Sequence, residues 1–216
     1  MSSPVKGIHR VPQQARGHDR RNCILDGCAR LIVRSGRTAL TMNLIAKESG
    51  AAIGSLYHFF PNKEAVLNAL RLRHVQAISE LMQDIRGISA EEWITCSTES
   101  MVQKLTMPLV TYLAANPDCL VIPEDEHERE KNSSPELVKS VLQTYDFALR
   151  SRMPYYDEAQ RKRHVTTILS IPIGPLQMCR EYPDWRDDMQ SEIPRVLASY
   201  LNSLMRENIG IGQFSK

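Results

Sequence analysis

The stretch IGSLYHFFPNKEAV, residues 53–66, places a hydroxyl (Ser55), a phenol (Tyr57), an imidazole (His58) and an ammonium (Lys63) close together, and no Asp or Glu occurs between Glu48 and Glu64. Donors without neighbouring carboxylates suit a polyanion, and phosphate oxygens in particular. Aromatic residues make up only 6% of the chain, yet Tyr57, Phe59 and Phe60 fall within four positions. On a helix they separate by face. Leu56 and Phe60, four apart, belong to a core side, and Ile53, Ser55, Tyr57 and His58 to the opposite side or its margins.

Other chemistry has weaker grounds. The acidic run Glu124–Glu130 with His127 has its carboxylates in sequence rather than at HExxH spacing, and reads as a solvated charge run. Cys23, Cys28, Cys96, Cys119 and Cys179 are odd in number and form no CxxC pair, so neither a zinc ribbon nor a disulfide framework is indicated. None has a His or acid at informative spacing to make it a nucleophile. No GxGxxG or phosphate-binding loop is present. No catalytic residue, metal ligand or cofactor is therefore expected, and the chain is not read as an enzyme.

The 216 residues carry a net charge of +2, which hides an asymmetry. Residues 1–75 hold 12 Lys and Arg against 4 Asp and Glu; the remainder holds 15 against 21. A basic front and an acidic back imply two regions with different partners. No signal peptide and no run long enough to span a bilayer is visible, so a cytoplasmic location and no membrane partner are expected.

Helices must position the polar groups. Residues 1–16, with Lys6, Arg10 and Arg16, read as a flexible basic arm. A first helix is expected from Asp19 to Arg34 on the stripe Ile24, Cys28, Leu31 and Ile32, with Gly36 as its terminator. Thr41 caps a second, short helix stopped by Gly50. A third covers about Ala52–Phe60 and ends at Pro61. Asn62 caps a much longer fourth through Ile85. Ser89 opens a helix expected to run through Trp93, Met101 and Leu105 until Pro108 interrupts, followed by Leu109–Ala115. A loop over 118–134 precedes a helix opened by Ser134-Pro135. Asp157 starts another through Leu176, kinked or broken at Pro172, Gly174 and Pro175, and a last one holds Ile193–Leu204. The fold class is all-α.

Two short helices joined by a tight Gly turn and packed on a third form a helix-turn-helix, whose second short helix enters the major groove. The segments RNCILDGCARLIVRSG, LTMNLIAKESG and AAIGSLYHFFPNKEAVLNAL, without a gap over 21–70, resemble the DNA-binding domain of the TetR family of bacterial repressors. The resemblance rests on Ile45-Ala46, Gly50, Gly54-Ser55-Leu56-Tyr57, Phe60 and Asn62-Lys63-Glu64. It implies a helix-turn-helix domain over 17–62, an effector-binding and dimerisation domain over 63–216, and a homodimer bound to a double-stranded operator. It assigns DNA contact to Thr41, Asn43, Ile53, Gly54, Ser55, Tyr57, His58 and Lys63. Their chemistry agrees: Tyr57 and Lys63 reach phosphates, Asn43 pairs with adenine, Ser55 meets either kind of base, and Ile53 touches a thymine methyl. Two positions depart from the family pattern. Ala52 replaces the usual Ser or Thr cap, and Phe59 stands where His is usual, with His58 one place earlier.

Beyond residue 75 no motif is diagnostic. Trp93, Met101, Leu105, Tyr112, Tyr145 and Met178 are bulky, adaptable residues suited to an apolar effector pocket. The stripes Val165, Ile168, Leu169, Ile173, Leu176 and Val196, Leu197, Tyr200, Leu204 are expected to form a four-helix dimer interface. The alternatives are a redox- or metal-sensing repressor, and a helix-turn-helix protein acting through protein–protein contacts.

Overall fold

The computed structural model describes residues 13–121 and 134–211, and these are helical with no β-strand among them. The acidic run Glu124–Glu130 and most of the basic arm lie outside the described residues. The chain divides into two compact units, one ending at Leu70 and one starting at Arg71. The division falls inside a single helix, eight residues after Asn62.

In the first unit α1 spans Gln13–Ser35. It starts six residues before Asp19, so residues 13–16 of the expected arm are helical. Gln, Ala and Arg are strong helix formers, and the Pro12 that precedes them suits a helix start. Ile24, Leu25, Cys28, Leu31 and Ile32 are its buried stripe. Gly36 terminates it at φ +75°, a left-handed conformation that side chains resist. α2 spans Met42–Ser49 and α3 Ile53–Phe59. Gly27 permits the approach of α1 to α2: a Cβ there would lie 2.8 Å from Ser49 Cβ and 2.9 Å from Ser49 N, and backbone cannot step aside.

The second unit holds most of α4 (Lys63–Arg86), then α5 (Ala90–Thr95), α6 (Thr98–Met101), α7 (Met107–Ala115), α8 (Pro135–Arg152), α9 (Glu158–Ser170), α10 (Ile173–Glu181) and α11 (Arg186–Ile211). Its core gathers Met82 and Ile85 of α4, Trp93, Met101, Leu105, Tyr145, Leu149, Ile168, Leu197 and Leu201.

Two expectations are corrected here. The helix opened by Ser89 does not run on to Leu105. It ends at Cys96, whose backbone is extended, and Ser97 starts a new helix by accepting from the Ser100 N–H at 3.1 Å. Ser in a helix interior readily diverts to capping, and Ser97 does so. The interruption near Pro108 also begins earlier, as a π-helical turn over Val102–Thr106. Proline offers no N–H and crowds the carbonyl four residues back, and a widened turn accommodates both. At the second proline cluster the helix restarts rather than kinks. Pro172 caps α10, and Pro175 sits in its first turn, where a missing N–H costs nothing.

Candidate nucleic-acid interface

α2 and α3 are set by local signals at both ends. Thr41 Oγ1 accepts from the Leu44 N–H at 3.2 Å and starts α2. Gly50 closes it at φ +66°, with its N–H directed to Ala46 and Lys47 carbonyls. Leu56 and Phe60 are 0% and 3% exposed and fasten α3 to the domain core. Phe60 also lies under the Arg21 guanidinium, 5.5 Å from the ring centre. Asn62 Oδ1 then accepts from the Ala65 N–H at 2.9 Å and starts α4.

The opposite side of the pair is open. Thr41, Asn43, Ile53, Gly54, Tyr57 and His58 are exposed, and Ser55 and Lys63 are half-buried. Tyr57 is 52% exposed and Ile53 41%, which is high for residues able to pack. They lie one helical turn apart, so they share a face of α3. Leu44 of α2, at 42% exposure, adds an apolar group that the sequence did not single out. An exposed Leu carries no polar signature by which sequence could mark it. Phe59 is half-buried with its ring edge-on to His58 at 5.4 Å.

The charge near this face is managed from α1. Arg30 Nε and Arg34 Nη2 hold the Glu48 carboxylate at 3.1 and 2.8 Å. The two hydrogen bonds, Arg34's the larger influence, keep the Glu48 carboxyl below its usual range. The acid at the end of α2 is thereby neutralised within the domain, and α3 itself contains no acid.

The start of α3 is weaker. Ala52 has the extended backbone of an N-cap, φ −62° and ψ 139°, but no side chain to serve the free N–H groups. Ala52→Ser is expected to stabilise the domain by about 1 kcal/mol. A thermal melt reads this directly, and an unchanged midpoint would show that packing alone holds this end of α3.

In the second unit, Trp93, Met101, Leu105 and Tyr145 meet in one buried cluster. Trp93 Nε1, Tyr145 Oη and Thr106 Oγ1 are buried there without a hydrogen bond of ordinary geometry. Burial drives the Tyr145 phenol well above its usual range, and the neighbouring Thr106 hydroxyl acts weakly the other way. Met178 lies apart and exposed. Tyr112 stands instead 2.7 Å from His74 Nδ1, with Asp118 Oδ2 2.7 Å from Nε2 of the same ring. His74 lies within the long helix α4. Its partners are 38 and 44 residues away, beyond any local signal.

Of the nine residues expected at a dimer interface, Val165, Ile168, Leu176, Leu197 and Leu204 are buried in the core of the single chain. Leu169, Ile173 and Tyr200 are half-buried and Val196 is 45% exposed. Tyr182 and Trp185, both exposed, stack at 4.6 Å just before α11. Among the described residues no helix is long and apolar enough to cross a membrane.

Comparison with known proteins bears on both units. Of solved structures, the fatty acid degradation regulator FadR from Bacillus halodurans matches with a TM-score of 0.62 at 18% identity, over 83% of this chain and 94% of that one. FadR from Bacillus subtilis, solved in complex with stearoyl-CoA, matches at 0.58 and 19%, over 83% and 98%. At these identities the likeness is one of fold. An uncharacterised HTH-type transcriptional regulator of Bacillus subtilis (strain 168), YxaF, is 54% identical over 44 residues, 20% of this chain and 23% of that protein. The match thus spans less than a quarter of that relative's length. The family model for bacterial regulatory proteins of the tetR family matches residues 24–70, the stretch that contains α2, α3 and the exposed polar set. Over that stretch the chain is similar to the DNA-binding domain of the tetR family of bacterial regulatory proteins.

Proposed function

We propose that the chain is a repressor that binds a palindromic duplex operator as a homodimer and is released by a small-molecule effector. The observation that carries this reading is the exposed set on α2 and α3. An acid-free short helix, held by Leu56 and Phe60, turns Ile53 and Tyr57 outward behind a left-handed Gly50. In this reading Thr41, Asn43, Ile53, Gly54, Ser55, Tyr57, His58 and Lys63 contact DNA, with Tyr57 and Lys63 on phosphates and Asn43 and Ser55 on bases.

The dimer would use residues that keep surface to offer, Val196 and Tyr200 of α11 with Tyr182 and Trp185 just before it, while the buried stripe holds each chain together. A self-complementary face of this kind presents the two recognition helices to half-sites about one DNA turn, or a small multiple, apart. The effector would enter the Trp93, Met101, Leu105 and Tyr145 cluster, whose buried indole N–H and phenol O–H favour an apolar or amphipathic organic molecule with a polar group to receive them. That FadR of Bacillus subtilis was solved with stearoyl-CoA supports this fold as one that accommodates a long organic ligand. Release follows if the effector binds more tightly to a state in which α4 is displaced, since only differential affinity shifts the equilibrium.

Selection of bound sequences from random duplex DNA tests the reading. An inverted repeat is expected, with log affinity falling against log salt at roughly −0.9 per phosphate contact. Sedimentation at micromolar concentration should give a dimer. Failure to enrich any sequence would leave the protein–protein reading in its place.

A further inference from the structure

His74, Asp118 and Cys119 bring one nitrogen, one carboxylate oxygen and one sulfur within 4.8 Å of one another. His74 lies on α4; Asp118 and Cys119 lie on the 3-10 turn Pro117–Leu120 that follows α7. The site is screened from solvent, the His74 and Asp118 side chains being 11% and 5% exposed. A buried His–carboxylate pair alone is an ordinary arrangement. The thiol at the very next position sets this cluster apart, because it completes a mixed set that borderline-soft cations favour.

We propose that His74 Nε2, Asp118 and Cys119 form a binding site for a divalent cation of the zinc class, with Tyr112 orienting the imidazole. Ligands on tetrahedral zinc stand roughly 3.3 Å apart, given metal–ligand distances of about 2.0–2.3 Å. The bond between His74 Nε2 and Asp118 Oδ2, now 2.7 Å, opens by a few tenths of an ångström, and the longest separation, within 4.8 Å, closes by no more than about 1.5 Å through side-chain rotation. The other ring nitrogen, Nδ1, then donates to Tyr112 Oη, now 2.7 Å away, as metal-bound imidazoles donate to an outer partner. Cys119 gives up its thiol proton to solvent, so the carboxylate and the thiolate together offset the two charges of the ion. No electron transfer is involved, and the fourth position stays open to water or an incoming donor. Arg73 is close enough to act on both Tyr112 and Cys119 as an opposing charge.

The full chain, reduced and stripped of metal by a chelator, is titrated with Co2+ alone and read without DNA, so the outcome is independent of the operator and effector. One equivalent per chain is expected to produce a sulfur-to-cobalt charge-transfer band and the intense visible bands of four-coordinate cobalt, both erased by Zn2+. Cys119→Ser should abolish the charge-transfer band, and Cys23→Ser should leave it intact. Tyr112→Phe should weaken Co2+ binding about 10- to 100-fold. His74→Gln should abolish the four-coordinate spectrum; if it does not fold, the Cys119→Ser arm decides. Absence of the band, its survival in Cys119→Ser, or binding only at millimolar metal would overturn the proposal.

Discussion

Replacing Tyr57 and Lys63 together by Ala is expected to lower affinity for every duplex sequence by roughly 100- to 10,000-fold, the sum of two lost phosphate contacts. Hydrogen bonds to a charged group contribute about 1.5–3 kcal/mol, and each 1.4 kcal/mol is about tenfold. Loss of the Lys63 contact should also make the salt slope shallower by about one per subunit. Neither change should unfold the domain. Tyr57 is 52% exposed and Lys63 half-buried, while Leu56, Phe60 and Leu67 beside them carry the core. Asn43→Ala serves as the contrast. It should leave affinity for random DNA nearly intact and relax preference at one base pair, because an amide that reads adenine carries sequence information and a phosphate contact does not. If the double variant holds the selected operator as tightly as the parent, α3 does not approach DNA through this face. Nonspecific binding that survives alone would instead place the loss in the base contacts.

The first unit was legible because its signals are local. Thr41 and Asn62 start helices with their own side chains, Gly36 and Gly50 end them in left-handed conformations, and Leu56 and Phe60 share a face by spacing alone. What escaped was contact across elements. Nothing near Gly27 in sequence announces that Ser49 backbone lies against it. In the second unit the same limit is more severe. A stripe such as Val165, Ile168 and Leu176 specifies that a helix face is covered, not whether the cover is the same chain or a second copy; here it is the same chain. The break at Cys96 and the π turn before Pro108 depend on what each backbone group finds to bond, which spacing does not encode. The grouping of His74 with Tyr112, Asp118 and Cys119 comes from a turn that returns to α4 across some forty residues.

Tyr145→Phe should stabilise the protein while weakening the effector. The ring is fully buried, and its hydroxyl makes no hydrogen bond of ordinary geometry, nor does Thr106 Oγ1 beside it. A desolvated, unpaired hydroxyl costs about 1–3 kcal/mol, and Phe removes it without opening a cavity, because the ring stays in place. A rise in stability of about 1 kcal/mol is therefore expected, seen as a higher denaturant midpoint at unchanged slope. The expected sign separates two arrangements. If the two hydroxyls bond each other in solution, or share a bridging water, Tyr145→Phe strands Thr106 and destabilises instead, and Thr106→Val added to it recovers the loss. The effector supplies the second readout. A ligand whose polar group receives the Tyr145 O–H loses that bond in the Phe variant, so operator release requires more of it even though the unliganded protein is more stable. Stability and release then move in opposite directions on deletion of one oxygen atom. A merely space-filling Tyr145 would change stability alone and leave the effector concentration for release where it was, which would move the pocket away from this cluster.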